Sequence, residues 1–358
     1  MDVALGNRYR AVACNSGLAS KPTPGDISPW IELLNHLFLD APKERKYLEL
    51  WLAYPLQHLG AKLKVAVVLY SKTQGVGKNI LVEAVEKIYG ANAVEIGNDE
   101  LHDSFNPWQK DRQFIVGDEV QGGGDKGDKL IEKLKRLITA PTVSVNEKFK
   151  PQFEIPNVAN YIFLTNNCDP LRISEQDRRF WAWEIRQGKL DDAFYRRFHD
   201  WKESEAGIAA LHHHLLNVDT SDFNPDAMAP MTETKQDMIE TSRSEVERWL
   251  LDLPNMRPDA TLWTLDDLVT LFQELNPRSH AGSGAFGKAL TKLGYKRAYG
   301  AEQVRVLSRQ LRLWVIAPTE EAERLLAIRE PSELAKMYLK QGWGRKPNWS
   351  EPVGLGDM

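Results

Sequence analysis

A turn between an apolar run and a helical pattern holds the residues of this chain best suited to chemistry. Residues 65–70 read as a strand, and residues 80–89 are apolar at helical spacing. Glycines in such a turn let backbone N–H groups surround an anion, and a helix N-terminus adds partial positive charge. A lysine there reaches the outer phosphates of a nucleotide. The candidate phosphate-binding residues are Gln74, Gly75, Val76, Gly77, Lys78 and Asn79.

The turn departs from the usual phosphate loop at two positions. Lys72 occupies the place of the usual first glycine, and Asn79 replaces the serine or threonine that usually follows the lysine. Asn79 still offers a carbonyl oxygen to a magnesium ion or its water, so metal binding is weakened rather than excluded. Taken alone, the turn fits a plain strand–turn–helix as well as a nucleotide site.

Two adjacent carboxylates, Asp118 and Glu119, follow a second apolar strand at residues 113–117. In parallel sheets the chemistry lies at the carboxyl ends of the strands, so Lys78 and this pair can face one phosphate group. Phosphate hydrolysis needs one carboxylate to hold magnesium and another to orient the attacking water. We assign Asp118 to the metal and Glu119 to the water; a solvated acidic pair is the alternative.

Polar groups also flank two later apolar strands. Asn166, directly after one strand, is placed to hydrogen-bond a γ-phosphate or the attacking water, or else to form a turn. Arg178 and Arg179 directly precede the other strand. A guanidinium offered to the nucleotide of a neighbouring subunit would supply charge compensation in hydrolysis. An ion pair with Asp177 or Glu175 is the structural alternative.

A lysine-tipped hairpin is predicted between the strand at 113–117 and the strand that ends before Asn166. After a glycine-rich stretch at 121–128, a helix is expected from Lys129 to Thr139. Residues 142–155 then alternate polar and apolar side chains on two arms. Two cations and an aromatic ring near the tip suit a sugar-phosphate backbone plus base stacking. These residues are Lys148, Phe149 and Lys150; an ordinary exposed turn is the alternative.

These motifs, in this order and spacing, resemble the superfamily 3 helicases, the AAA+ ATPases of small DNA viruses, phages and plasmids. The likeness is greatest to the helicase part of phage and mobile-element primase-helicases, which is related to the poxvirus helicase-primase group, and it covers residues 10–250. The resemblance implies a homohexameric ring that uses ATP and Mg²⁺ and draws single-stranded DNA through its pore. It also implies that Asn166 senses the γ-phosphate and that Lys148 and Lys150 face the DNA. By the same likeness Arg178, ahead of Arg179, is the arginine finger.

A separate basic region begins near residue 244. Its pattern of three helices followed by a hairpin or strand resembles a winged helix. Between Arg278 and Arg312 there are eight Lys or Arg residues against one acid, Glu302. In a chain of net charge −4 this local excess indicates phosphate contacts, with duplex or forked DNA as further partners. The candidate contacts are Lys288, Lys292, Arg305 and Arg309; a packing domain with a solvated basic face is the alternative.

The predicted fold class is α/β, with an AAA+-type phosphate-loop core and a mainly parallel sheet. We expect an N-terminal arm and helical subdomain at 1–60, the ATPase core at 61–188, and a helical lid and linker at 189–243. A winged-helix-like domain at 244–318 and C-terminal helices with a tail at 319–358 complete the expected organisation.

Composition narrows the class of protein. The 358 residues are 42% hydrophobic and 27% charged, with no apolar run long enough to cross a membrane and no secretory pattern at the start. Two cysteines without metal spacing favour a reducing compartment, so we expect a cytoplasmic protein, in a bacterial host if it comes from a phage or mobile element. Related primase-helicases usually carry a primase domain before the helicase, and none fits in the first 60 residues. We therefore expect either a stand-alone helicase or the C-terminal part of a longer protein, with a primase or polymerase, as a domain or a separate protein, as an expected partner.

The sequence therefore predicts an ATP-dependent DNA helicase that translocates on single-stranded DNA as a ring during phage or mobile-element replication. Two alternatives stay open. One is a DNA-binding replication initiator or regulator in which ATP controls assembly alone. The other is an ATPase switch without unwinding activity.

Overall fold

The apolar runs and helical patterns of the sequence become the elements of two units, Met1–Ser242 and Arg243–Met358. The computed structural model describes residues 18–120, 125–167, 171, 173–174, 177–300 and 302–342, with the backbone alone at 125–128. The start of the predicted N-terminal arm, the loop at 121–124, Glu175 and the tail from residue 343 lie outside the described residues.

The first unit alternates strands and helices. Its strands are β1 (Ala66–Tyr70), β2 (Ala93–Ile96), β3 (Phe114–Gly117), β4 (Thr142–Val145), β5 (Phe153–Pro156), β6 (Asn160–Thr165) and β7 (Phe180–Glu184). Its helices are α1 (Ser28–Leu37), α2 (Pro42–Gln57), α3 (Lys78–Tyr89), α4 (Asn98–His102), α5 (Asp125–Thr139), α6 (Asp192–Glu203), α7 (Glu205–Leu216) and α8 (Glu233–Thr241).

Strand β1 lies inside a five-stranded parallel sheet of order β2-β3-β6-β1-β7. All five residues of β1 are buried, as expected for a parallel strand covered by helices on both faces. The chain leaves β1 towards β2 on one side and returns to β7 on the other, so the winding reverses at β1. Such a reversal opens a crevice at the carboxyl ends of the strands, where ligands bind in open α/β sheets.

Alternate residues of β1 face two hydrophobic layers, because successive side chains of a strand point to opposite faces. Val67 and Leu69 pack with helices α1, α2, α3, α6 and α7. Ala66, Val68 and Tyr70 pack with α5, α8 and the β4–β5 pair. Helices α1 and α2 therefore share a core with the sheet.

The predicted mixed α/β fold with a parallel sheet is confirmed, but one helix boundary was wrong. Helix α5 begins at Asp125, inside the glycine-rich stretch, rather than at Lys129. A glycine such as Gly127 costs a helix about 1 kcal/mol. The burial of Leu130 and Leu134 further along the same helix outweighs that cost.

The predicted hairpin at 142–155 is confirmed as the antiparallel pair β4–β5. Its register joins Val143 to Ile155 and Val145 to Phe153. Val143, Val145 and Ile155 are buried against the second layer, which fixes the arms and leaves the turn to project from the unit.

The second unit combines helices with short antiparallel strands. Helices α9 (Glu245–Met256), α10 (Leu265–Leu275) and α11 (Ser283–Lys292) pack around one hydrophobic cluster. Strands β8 (Leu262–Trp263), β9 (Lys296–Arg297) and β12 (Trp314–Val315) form a sheet, and β10 (Val304–Val306) pairs with β11 (Arg309–Leu311) as a hairpin. Helices α12 (Thr319–Ala327) and α13 (Pro331–Lys340) follow. Within the described residues, none of the helices has the length and apolar character needed to cross a membrane.

Glu86 on α3 provides a test of the packing between α3 and the sheet. Burial, with the neighbouring carboxylates of Glu95 and Glu83, raises the pKa of Glu86 to about 7. Because the unfolded chain releases this proton near pH 4.5, ionisation of Glu86 destabilises the fold as the pH rises from there through 7. Glu86→Gln should therefore raise the free energy of unfolding by about 1–2 kcal/mol at pH 8 and by little at pH 5.

Thermal unfolding of both proteins at the two pH values measures this difference. Glu154→Gln, at an exposed position on β5, serves as the control and should leave the unfolding temperature unchanged at either pH. An equal effect of Glu86→Gln at pH 5 and pH 8 would contradict the prediction.

Candidate nucleotide-binding site

The loop between β1 and α3 adopts a backbone that glycine favours at two positions. Gly75 and Gly77 have φ of 74° and 112°, in the left-handed region where side chains are disfavoured. A Cβ at Gly77 would lie 2.8 Å from Cδ1 of Leu33, and one at Gly75 would lie 2.8 Å from Cε of Lys189. Both glycines are therefore needed for the sharp entry into α3, which begins at Lys78.

Lys78 is buried at the start of α3, with 5% of its surface exposed. Its ammonium donates a hydrogen bond to Oγ of Ser71, the first residue after β1. The Asn166 side chain, directly after β6, donates to the carbonyl oxygen of Ser71 at 2.7 Å and to its Oγ at 3.3 Å. The structure thus brings Lys78 and Asn166 together around Ser71. Sequence reasoning missed Ser71, although a hydroxyl directly after a buried strand was a usable signal.

The two carboxylates after β3 differ in environment. Burial lowers the pKa of Lys78 to about 8, and the carboxylate of Asp118 opposes that shift, so these two charges interact. The N–H of Asp118 donates to the carbonyl oxygen of Ile96 at 2.9 Å, which fixes the start of the loop. Glu119 is exposed and has a φ of 50°. A non-glycine residue in this region costs about 1–3 kcal/mol, and such strain is concentrated at functional sites.

Asp118 and Asn79 are the predicted magnesium ligands. Mg²⁺ is usually bound by one or two carboxylates together with phosphate oxygens and water, so one partly buried carboxylate beside Lys78 fits the ion. Asn79 is exposed on the first turn of α3. Over the described ranges, no group of three or more His, Cys, Asp or Glu side chains could hold a metal ion. Of the other loop residues, Gln74 is exposed and Val76 is buried.

Side chains that follow β7 contact the loop from outside, and sequence reasoning missed them. Tyr195 donates its hydroxyl hydrogen to the carbonyl oxygen of Gly75 at 2.8 Å, and the stem of Lys189 lies against Gly75. Lys72, in place of the usual glycine, is mostly exposed, and its ammonium lies 3.5 Å from a carboxylate oxygen of Glu184. These contacts join segments far apart in the sequence, so no local pattern marks them.

Arg178 and Arg179 lie at the amino ends of the parallel strands, whereas Lys78 lies at their carboxyl ends. They precede β7, whose first residue Phe180 pairs with Ala66 at the start of β1, whereas the Lys78 loop follows the end of β1. Each strand residue advances roughly 3.3 Å. The length of β1 therefore separates the arginines from Lys78, and one chain does not bring them to the same phosphate group.

The two arginines differ in their partners. Nη1 of Arg179 lies 3.5 Å from Oδ2 of the buried Asp177. Arg178 is exposed, and both arginines line a crevice of about 300 Å³ together with Lys64 and Asp226. Of the pair, Arg178 is the one whose guanidinium is presented to solvent.

The β4–β5 hairpin presents its predicted DNA contacts at the tip. Phe149 has a relative exposure of 104% and a φ of 64°. The ammonium of Lys148 lies 5.4 Å from the centroid of the Phe105 ring, and Lys150 pairs with Glu147. Phe149 therefore projects its ring into solvent from a tip that carries two cations.

The candidate contacts of the second unit are not equivalent. Lys288, Arg305 and Arg309 are exposed. Lys292 is exposed as well, but its ammonium also forms an ion pair of 2.9 Å with the buried carboxylate of Glu247, which links α11 to α9.

The fold has solved counterparts. Three apo structures of the C-terminal region of NrS-1 superpose on this chain with TM-scores of 0.62, 0.60 and 0.59. They cover 84% of this chain and 77–78% of the matched chains at 20% sequence identity, so they compare the fold alone.

A protein similar in sequence also comes from NrS-1. The DNA primase-polymerase of Nitratiruptor phage NrS-1 is 28% identical over 220 residues, which are 60% of this chain and 30% of that protein. The chain thus spans less than a third of the relative. Residues 69–179, which include the loop, Asp118 and Asn166, match a family described as "Family of unknown function (DUF5906)". The chain is homologous to part of a phage primase-polymerase, in agreement with the phage group of the motif resemblance; the superfamily 3 assignment stays a prediction.

The lowered pKa of Lys78 predicts a pH-dependent affinity for triphosphates. The lysine is charged below pH 8 and neutral above it, and only the charged form attracts phosphate. Affinity for ATP should therefore fall about tenfold between pH 7 and pH 9. Titration with a fluorescent ATP analogue measures the change. Lys78→Arg keeps its charge over this range and should give a flat profile. An unchanged wild-type affinity up to pH 9 would contradict the predicted loss of charge at Lys78.

Proposed function

We propose that this chain is an ATP-dependent DNA helicase of the superfamily 3 class that acts in the replication of a phage or related mobile element. The observation that carries the proposal is the arrangement around Ser71, where Lys78 and Asn166 meet beside Asp118 at the switch point of the sheet. An AAA+-type core at 61–188 with a helical lid at 189–243 would carry this site, and its cofactors would be ATP and Mg²⁺.

In the proposed reaction, water attacks the γ-phosphorus of ATP while the bond to the bridging oxygen of ADP breaks. Lys78 reaches the outer phosphates, and Glu119 accepts the proton of the water. Asn166 hydrogen-bonds the γ-phosphate or the water and thereby reports hydrolysis to β6. Asp118 and Asn79 would hold magnesium, which supplies positive charge to the phosphates when bound.

The position of Arg178 supports hydrolysis between subunits. The arginine is exposed at the amino ends of the strands and Lys78 lies at their carboxyl ends, so a second copy of the chain is needed to bring the two groups to one nucleotide. Repetition of such a head-to-tail contact forms a ring when the rotation between neighbouring subunits closes. We propose a homohexamer, with Arg178 as the arginine finger and Arg179 as the reserve candidate.

The DNA role rests on the two hairpins and the relative. Lys148, Phe149 and Lys150 would follow single-stranded DNA in the pore of the ring by phosphate contact and base stacking. The second unit, with its helices, small sheet and hairpin, supports a winged-helix-like domain that contacts duplex or forked DNA. A relative named a DNA primase-polymerase supports a place in replication beside a primase or polymerase, in the host cytoplasm.

Substitution of Lys78 separates the motor from the regulator. Lys78→Ala should abolish ATP hydrolysis and strand separation while DNA binding is retained, because Lys78 is not one of the proposed DNA contacts. Hydrolysis assays, fork-unwinding assays and fluorescence anisotropy measure the three properties. Replication that persists in the variant without ATP hydrolysis would instead favour an ATP-regulated initiator. Strand separation that persists would exclude Lys78 from the unwinding mechanism.

The hairpin tip gives an independent test of translocation. Lys148→Ala combined with Lys150→Ala should abolish the stimulation of ATP hydrolysis by single-stranded DNA and leave basal hydrolysis within about twofold, since the ATP site lies elsewhere. A matched pair, Lys43→Ala with Lys46→Ala, removes two exposed lysines from α2 and should preserve the stimulation. Stimulation that survives in the hairpin variant would exclude the tip from the DNA path.

A further inference from the structure

The turn of the β10–β11 hairpin contains an unusual residue. Val306 pairs with Arg309, so the turn consists of Leu307 and Ser308. Leu307 has a φ of 54° and is 74% exposed. Two-residue hairpin turns favour Asn, Asp or Gly because these residues tolerate positive φ. A leucine here is costly twice, once in backbone conformation and once in exposed apolar surface.

The hairpin below the turn is firmly packed. Val304 and Val306 are buried in one cluster with Leu334 and Tyr338 of α13. The arms therefore hold the turn in place and project Leu307 into solvent. Residues held in a disfavoured conformation by packed surroundings are concentrated where the chain contacts a ligand.

The charges around the turn indicate the kind of ligand. Arg305 and Arg309 are exposed on the two arms, and Glu302 is the one acid in the sequence between Arg278 and Arg312. Exposed guanidinium groups suit the phosphates of DNA. A single leucine on a narrow turn suits a base step approached from the minor groove, where apolar side chains act as wedges. That groove, at about 6 Å wide, admits the turn more readily than the whole two-stranded ribbon.

We infer that this hairpin binds duplex DNA by placing Leu307 between two adjacent base pairs from the minor groove, with Arg305 and Arg309 on the flanking phosphates. The inference rests on the DNA-binding role proposed for the second unit. It specifies duplex rather than single-stranded DNA as the ligand of this unit, and it makes local unstacking of the duplex part of binding.

The full chain with Leu307→Asn tests the wedge, because asparagine accepts the left-handed turn and removes the apolar side chain. The probe is a duplex oligonucleotide that carries 2-aminopurine, whose fluorescence rises when the base unstacks. Wild-type protein should raise the signal; Leu307→Asn should lose that rise and bind about tenfold more weakly. Its salt dependence should be unchanged, since no charge is altered, and its unfolding temperature should not fall.

Two comparison variants complete the experiment. Leu275→Asn changes another exposed leucine of the same unit and should bind and unstack the duplex as the wild type does. Arg305→Ala with Arg309→Ala should weaken binding and lower the slope of log affinity against log salt by about 2.

Three results would overturn the inference. They are an unchanged 2-aminopurine signal with wild-type protein, equal unstacking by Leu307→Asn, and a salt slope that the arginine variant leaves unaltered. Hydrolysis of ATP stimulated by single-stranded DNA, measured on the same proteins, distinguishes this failure from that of the proposed helicase. If only the inference about Leu307 is wrong, the stimulated hydrolysis should be present in the wild type and in Leu307→Asn. If the proposed helicase function is wrong, the stimulated hydrolysis should be absent from the wild type.

Discussion

The burial of the Lys78 ammonium at the carboxyl end of β1 is the interaction on which the candidate site depends. A charge removed from water is costly unless polar groups surround it, and here Ser71 and Asp118 meet that need. Asn166 joins the same group through Ser71. Because these residues come from the ends of three parallel strands and one helix, the site requires the register of the sheet. In the proposed function, a bound phosphate would replace Ser71 as the hydrogen-bond partner of the Lys78 ammonium.

The sheet separates two groups of candidate residues, one at the carboxyl ends of the strands and one at their amino ends. Polar residues that could bind a triphosphate follow the strands, whereas Arg178 precedes one. The distance is set by the length of buried strand between them, so a small rearrangement within one chain does not close it. A single chain thus carries both groups of residues of the proposed hydrolytic site without joining them, which is why the proposed function requires a second copy.

Two hairpins, one in each unit, share a structural feature. Each has an exposed apolar side chain at its turn on a non-glycine residue with positive φ, Phe149 in the first unit and Leu307 in the second. In both hairpins buried arm residues fix the turn. A surface turn selected for stability alone would favour Asn or Gly at such positions. If both turns contact nucleic acid, the cations beside them and the apolar residues found there in place of Asn or Gly have one explanation.

The sequence by itself determined the parallel sheet with its strands, the β4–β5 hairpin and the loop after β1, because these follow from local periodicity and from the backbone freedom of Gly75 and Gly77. It also identified Lys78, Asp118 and Asn166 as groups near strand ends, since parallel strands align those ends. Only the tertiary structure decided which groups touch. Three contacts join residues that are remote in the chain: Asn166 with Ser71, Tyr195 with Gly75, and Lys292 with Glu247. Such contacts depend on how the helices and strands pack against one another. The pattern of residue types along the chain does not specify which side chains then touch.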